Sequence, residues 1–594
     1  MTSSYAGKSG SLAAVVILVL ESLAPARAGE IQLFGSTQIV VERNVSMTTR
    51  DGVALRSDIF RPKADGKYPV ILERTPYDKR AETFGPELAS HGYVMVVQDV
   101  RGRNASEGEW YPFRHESDDG YDAVEWAAGL PYSNGKVGMY GASYVGATQL
   151  YAAIASPPHL ACIMPIVAAS NCHEQWVYQG GAFSQALNQG WSSSLSVNVL
   201  ERRVGGTVQP SRRDMKLPPV TYPMLDVGTS DGLGDYYYDW LKHPDYDAFW
   251  KAWSIEEHFS RIMVPGLHLG GWYDIFQEGT IRNFAGITRE GGSDTARGGQ
   301  RLVMMVGGHA GPGPKVGEVD YGKGSVVDWG SLALRWFDFV LKGVDNGMGR
   351  EKPVRLFVMG QDSWDEEAAW PVGRAAGTRY YLRSAGGANA LSGDGRLDPA
   401  PPASEPADRF VYDPADPVPT LGGPAFGDVH LKQGPYDQRE NEKRADVLVY
   451  TTPPLDHPVK IVGPVTLDLY VSSSAVDTDF TGKLVDVGAD GAARNLAEGI
   501  LRARYRDSRE RPEPLEPGRV YRVEVGLGST AQVFAAGHRI RLEVSSSNFP
   551  RFDRNLNTGT DSGSPATASV RATNSVLHDG AHPSALCVDV VPVN

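Results

Sequence analysis

The chain has 594 residues, 41% of them hydrophobic and 22% charged, with a formal net charge of −13. This length exceeds what one core serves, so two or three domains are expected, and the composition excludes a disordered or fibrous chain. The acidic balance, with no run of Lys and Arg, speaks against nucleic acid as a partner.

Lys8 precedes an apolar run over 12–20 and then Ala26-Arg27-Ala28, the pattern of an export signal cut before Gly29. Residues 1–28 are therefore read as a signal peptide, and a periplasmic or secreted location is expected. The run is too short to span a bilayer, and no later segment has the length and apolarity of a membrane span. The three cysteines, Cys162, Cys172 and Cys587, form no Cys-x-x-Cys pair, so a zinc cluster is not expected. Cys162 and Cys172 suit either a small disulfide loop or two buried thiols.

Residues 29–171 read as the first part of an α/β domain. Alternation over 38–62, broken at Asp51-Gly52, predicts an antiparallel hairpin. Short apolar runs over 68–72 and 93–97 flank the helix "AETFGPELASHG". A second helix, "SDDGYDAVEWAAGL", has Ser117 or Asp118 as its expected cap. The strand "KVGMYG" then leads into the helix "YVGATQLYAAIAS", and this alternation predicts a mainly parallel sheet. It lapses over 172–260, which is rich in Trp, Tyr, Gln and Gly and reads as an inserted helical cap. It resumes over 261–352 with "MVPGLHLGGWYD", "RLVMMVGGH" and the helix "SLALRWFDFVLKG". From 353 to 594, strand-like runs separated by Gly, Pro, Asp and Asn predict an all-β jelly roll.

The strongest local signal is "VGMYGASYVGATQL". Ser143 stands between a strand and a helix with small residues around it, the setting of a nucleophile elbow, where the Tyr144 amide is free to meet an oxyanion. The pattern departs from G-x-S-x-G: Val145 takes the place of the second glycine, which follows at Gly146. A serine nucleophile needs a base and an orienting carboxylate, in the chain order Ser, acid, His. Asp274 after the strand 263–269 and His309 after the strand 302–306 both fall at the carboxyl ends of strands, where open α/β sheets place their sites. A helix-capping role competes for Asp274, and His268 competes as the base, but it lies inside its strand as a core histidine would.

"GASYVG", "GGWYDIF" and "VGGHAG", preceded by "ERTPYDK" (73–79) and "QDVRGRNASEGEW" (98–110) and followed by "SSSNFPRFDRNLNTG" (545–559), resemble the CocE/NonD hydrolases. That group holds the cocaine esterases, α-amino acid ester hydrolases and glutaryl cephalosporin acylases, and is related to the X-Pro dipeptidyl-peptidases. The resemblance runs from about Val41 to the end of the chain. It implies an α/β-hydrolase domain with a cap and a C-terminal jelly roll, a Ser143–Asp274–His309 triad, and a Tyr77 hydroxyl that completes the oxyanion hole with the Tyr144 amide. It also implies aromatic walls for the acyl group at Trp176, Trp191 and Phe276, although these residues read equally as cap packing. The carboxylates with which α-amino acid ester hydrolases hold a substrate ammonium are replaced by Phe276 and Gln277, with Glu278 displaced by one position.

The expected function is a serine hydrolase that cleaves an ester or amide of small-molecule size through an acyl-enzyme on Ser143, with an apolar or aromatic acyl group and no metal or organic cofactor. X-Pro dipeptidyl-peptidase or β-lactam acylase activity, or an inert hydrolase fold that only binds, are the alternatives. A homo-oligomer is compatible with the sequence.

Overall fold

The computed structural model describes residues 29–81, 83–205, 233–309, 311, 313–426, 431–564 and 568–593; the signal peptide expected over 1–28 lies outside them. Eleven strands form one sheet: β1 (Glu30–Phe34), β2 (Thr37–Thr48), β3 (Ala54–Pro62), β4 (Tyr68–Thr75), β5 (Val94–Asp99), β6 (Ser133–Ala142), β7 (Leu160–Ile166), β8 (Leu267–Tyr273), β9 (Arg301–Gly308), β10 (Val354–Val358) and β11 (Ser363–Glu367). Their order is β1-β2-β3-β5-β4-β6-β7-β8-β9-β10-β11. Pairing is parallel from β5 through β10 and antiparallel at both margins. All of β5 and β8 is buried, so helices must cover both faces of the parallel core. Helices Glu116–Ala128 and Tyr144–Ile154 pack into the core on one side. Gly85–Ser90 and Trp329–Lys342 pack on the other.

Local chemistry sets the ends of these helices. Asp328 accepts from the Ser331 amide at the start of Trp329–Lys342, and Gly343 ends that helix in the left-handed region at φ 72°. Glu116–Ala128 differs from expectation: it starts before Ser117, with His115 at its N-cap and no side-chain cap bond, so Ser117 and Asp118 sit inside the first turn.

The cap comprises a π-helix, Cys172–Val177, helices Gln185–Val204, Asp235–Lys242 and Ala248–Lys251, and a 3-10 turn, Glu256–Arg261. The helical pattern over 236–253 is broken at Pro244, which lacks an N–H and disfavours helix at the residue before it. Trp176, Trp191, Trp240 and Trp250 share one apolar core with Tyr144 and Leu150 of the elbow helix, so cap and sheet are a single packed body.

Beyond β11 the described strands build a second, largely antiparallel sheet assembly of the jelly-roll class. The strand Val459–Ser473 lies at its centre, paired with Tyr521–Phe534, Ala572–Leu577 and Ala585–Val591. Two features differ from the sequence reading. The run "VRLFV", expected to open this β domain at 353, is β10 of the hydrolase sheet: it pairs parallel with β9, and its Phe357 carbonyl accepts from the Trp272 indole at 2.7 Å. The sheet thus extends to Glu367. β7 was not expected at all, because Pro165 within it removes a ladder donor and disguises a central strand. All three cysteines are free. Cys162 lies in the core beside Trp329–Lys342 and Cys172 in the cap core, where its sulfur is 3.2 Å from the Tyr151 hydroxyl.

Candidate active site

Ser143 leaves β6 with φ 63° and ψ −126°, a strained conformation for a residue with a side chain, which turns its hydroxyl out at the carboxyl end of the sheet. Two glycines make room for the turn. A Cβ on Gly141, at φ 138°, would stand 2.2 Å from Val145 Cγ1, and one on Gly146 would stand 2.9 Å from Ala168 Cβ. Gly146 therefore permits the close approach of helix and strand, while Val145 packs over Gly141.

Asp274 directly follows β8 and His309 directly follows β9, strands that pair from Leu267↔Arg301 to Gly271↔Met305 and, after a register shift, at Tyr273↔Gly308. The adjacency of β8 and β9 sets the two side chains side by side. His309 Nδ1 is 2.8 Å from Asp274 Oδ2, and His309 Nε2 is 2.9 Å from Ser143 Oγ. The other oxygen of Asp274 accepts from the Phe276 amide at 2.7 Å, so the carboxylate caps the following turn and orients the imidazole at once. Asp274 is 1% exposed, which keeps that bond in a poorly screened setting. His268 is fully buried within β8, its Nε2 2.8 Å from Gln300 Oε1, and burial pulls its pKa down to about 4. It has no bond to the relay.

Tyr77 follows β4 and keeps 40% of its surface exposed, yet its hydroxyl is held by the protein, and burial raises its pKa. The Trp191 indole N–H donates to the Tyr77 oxygen at 3.1 Å. An indole is a donor only, so Tyr77 must accept there, and its own hydrogen stays free to point elsewhere. Against the pull of burial, Trp191 and Ser143 both draw the pKa of that hydroxyl down. The Tyr144 amide is in the first turn of its helix, where amides lack an intrahelical acceptor. The Tyr144 side chain is structural: its hydroxyl donates to Glu116 at 2.8 Å and accepts from the Phe113 amide, and Glu116 pairs with the buried Arg74.

A cocaine esterase from Rhodococcus sp. (strain MB1 Bresler) is 37% identical over 543 residues, 87% of this chain and 93% of the relative. The chain belongs to the CocE/NonD family of serine hydrolases. Residues 51–311 match the model of the X-Pro dipeptidyl-peptidase (S15 family), and 346–587 match that of the X-Pro dipeptidyl-peptidase C-terminal non-catalytic domain. Among solved structures, an α-amino acid ester hydrolase superposes with a TM-score of 0.77 at 25% identity, covering 94% of this chain and 98% of that one. An aminopeptidase from a marine sediment Thaumarchaeota archaeon shares the fold, with a TM-score of 0.80 at 24% identity over 93% and 97% of the two chains.

In this CocE/NonD hydrolase Trp176, Phe276 and Trp191 come together. Trp176 and Phe276 stack at 4.6 Å, Trp191 meets Trp176 edge-on at 5.3 Å, and Phe276 meets the His309 ring edge-on at 5.2 Å. Nothing in the sequence pointed to Phe426, a loop residue of the β domain whose ring lies 4.8 Å from His309. Nor did it foreshadow the role of Gln277. Its side-chain amide donates to the Trp272 and Ser529 carbonyls and its oxygen accepts from the Ser529 amide, all within 2.9 Å. Glu278 accepts from the Ser529 hydroxyl at 2.7 Å. Against the opposing pull of burial, Arg509 and His173 hold the Glu174 carboxyl down at about 2. Glu174 of the cap and Glu278 after the acid loop are thus already engaged by protein groups.

Proposed function

We propose that this enzyme is an esterase that hydrolyses small esters of apolar or aromatic acids through an acyl-enzyme on Ser143. The observation that carries the reading is the continuous hydrogen-bonded relay from Ser143 through His309 to Asp274. As Ser143 attacks the acyl carbonyl, His309 Nε2 takes its proton, and Asp274 holds the imidazole and stabilises its charged form. The Tyr77 hydroxyl and the Tyr144 amide donate to the oxyanion. His309 protonates the departing alcohol, and water then releases the acid from Ser143 by the same steps in reverse. The name of the Rhodococcus relative supports an ester substrate. Trp176, Trp191 and Phe276 offer apolar faces for the acyl group, and the neutral Phe276 and Gln277 beside Asp274 give an α-ammonium no counter-charge. The N-terminal pattern of Lys8, an apolar run and Ala26-Arg27-Ala28 supports export to the periplasm or the medium.

The test is rapid-quench mass spectrometry with p-nitrophenyl benzoate. A burst of one p-nitrophenol per chain with a benzoyl group on Ser143 is expected. Turnover that persists in Ser143→Ala, or an adduct on another residue, overturns the reading. Phenylacetyl esters should be preferred over phenylglycyl esters with the same leaving group wherever the amine is charged.

A further inference from the structure

We infer that Arg103 is a positioning residue for Tyr77, fastening the turn that carries this oxyanion donor to the cap helix that carries Trp191. The inference rests on the esterase reading above and adds a residue that acts through Tyr77 rather than on the substrate.

The geometry is a closed ring. Arg103 Nε donates to the Pro76 carbonyl, next to Tyr77, at 2.9 Å. Its Nη1 donates to the Leu195 carbonyl at 2.9 Å, one turn beyond Trp191 in the helix Gln185–Val204. Trp191 closes the ring by donating to the Tyr77 oxygen. A guanidinium suits this task because its planar fork reaches two acceptors in fixed directions, which a lysine ammonium does not.

The charge of Arg103 is balanced by no carboxylate. The side chain is 3% exposed, its acceptors are neutral carbonyls, its guanidinium lies over the Trp110 ring at 5.1 Å, and no carboxylate among the described residues pairs with it. Its neighbours differ: Arg101 pairs with Asp119 and Asp51, and Lys79 with Asp99. A ring face and two carbonyls only partly offset the cost of burying a charge without a counter-ion. Burial lowers its pKa to about 10, so it stays charged at neutral pH, and its field favours hydrogen donation by Tyr77. Arg103 is not the sole tie between this loop and the cap. The Asn104 amide donates to Asn198 at 3.1 Å and Arg202 donates to the Asn104 carbonyl at 2.6 Å, joining the same loop to the same helix. Removing the guanidinium therefore loosens Tyr77 while the cap stays in place.

The experiment measures kcat and KM on p-nitrophenyl benzoate for the full chain, Arg103→Met, Arg103→Lys, Tyr77→Phe and the double variant Tyr77→Phe/Arg103→Met. Arg103→Met should lower kcat by about 30-fold with KM within about threefold, and Arg103→Lys should recover part of the loss. In the Tyr77→Phe background the same Arg103→Met change should cost less than about threefold, because the interaction it supports is already gone. A kcat for Arg103→Met within threefold of wild type overturns the inference, as does an undiminished loss in the Tyr77→Phe background. If Arg103→Met does not fold, Arg103→Lys and its double variant with Tyr77→Phe carry the same comparison. The two failures are distinguishable: a wild type that neither turns over the ester nor labels at Ser143 defeats the esterase reading, whereas an active wild type insensitive to Arg103 defeats this inference alone.

Discussion

Ser143, Asp274 and His309 each stand at the end of a hydrolase-sheet strand, whereas the rings around them arrive from elsewhere: Trp176 and Trp191 from the cap, Phe426 from the β domain. The first group is placed by backbone turns that a few neighbouring residues determine. The second is placed by packing between the cap, the loop after β8 and the β domain, as in the Trp176–Phe276 stack and the His309–Phe426 contact. The proposed chemistry should therefore fail completely when a strand-end residue is changed, and the walls should yield by degrees.

The largest test of that contrast is Ser143→Ala. Loss of a relay member should cost about 10⁶ in kcat with no change in thermal unfolding, and His309→Ala should match it. Retention of more than a tenth of wild-type turnover by either variant breaks the contrast. Tyr77→Phe comes next, with kcat lowered by about 10²–10³ and KM little changed, since an oxyanion donor acts only in the transition state. A rise in KM instead would place Tyr77 among the walls.

His268 sharpens the contrast from within one strand, five positions before Tyr273 ends β8. Burial depresses its pKa to about 4 from an ordinary value of 6.5. The neutral folded form therefore contributes stability that is fully present above pH 6.5 and is lost as pH falls from 6.5 towards 4. The loss by pH 4.5 is about 2–3 kcal/mol. Urea unfolding at pH 7 and 4.5 should show wild type losing that much more than His268→Asn, and equal losses would mean that His268 does not titrate in this way. Turnover per folded His268→Asn molecule should stay within tenfold of wild type.

The smallest effect belongs to Phe426. An aromatic contact of this kind is worth about 0.5–1.5 kcal/mol, so Phe426→Ala should lower kcat/KM for benzoyl esters by roughly 3–10-fold and for acetyl esters by less. Equal losses on both would assign the ring to holding His309 rather than to the acyl group.

What could be read from the sequence follows the same division. The elbow turn and the strand ends that place Asp274 and His309 are legible because each depends on residues within a few positions, whereas the displaced Gly146 answers a contact with Ala168, on the far side of β7. That "VRLFV" pairs with β9 was not legible, because a buried parallel strand and a jelly-roll strand share this pattern. β7 was hidden by Pro165. The contacts of Phe426, Gln277 and Arg103 were not legible: a loop phenylalanine, a glutamine noted only for its lack of charge and an arginine inside a family motif take these partners from segments distant in sequence.

Gln277 carries a consequence for anyone who would recombine these domains. Its carboxamide exchanges two hydrogen bonds with Ser529 in the manner of one more backbone unit, so the loop that bears Asp274 is stitched into a strand of the C-terminal module. The seam between the modules runs through the acid loop itself and not through the linker after Glu367. A chimera cut at that linker inherits a foreign Ser529 position, and so a foreign tailor for the loop. The graft that keeps the garment whole carries Gln277, Glu278 and the strand Tyr521–Phe534 together.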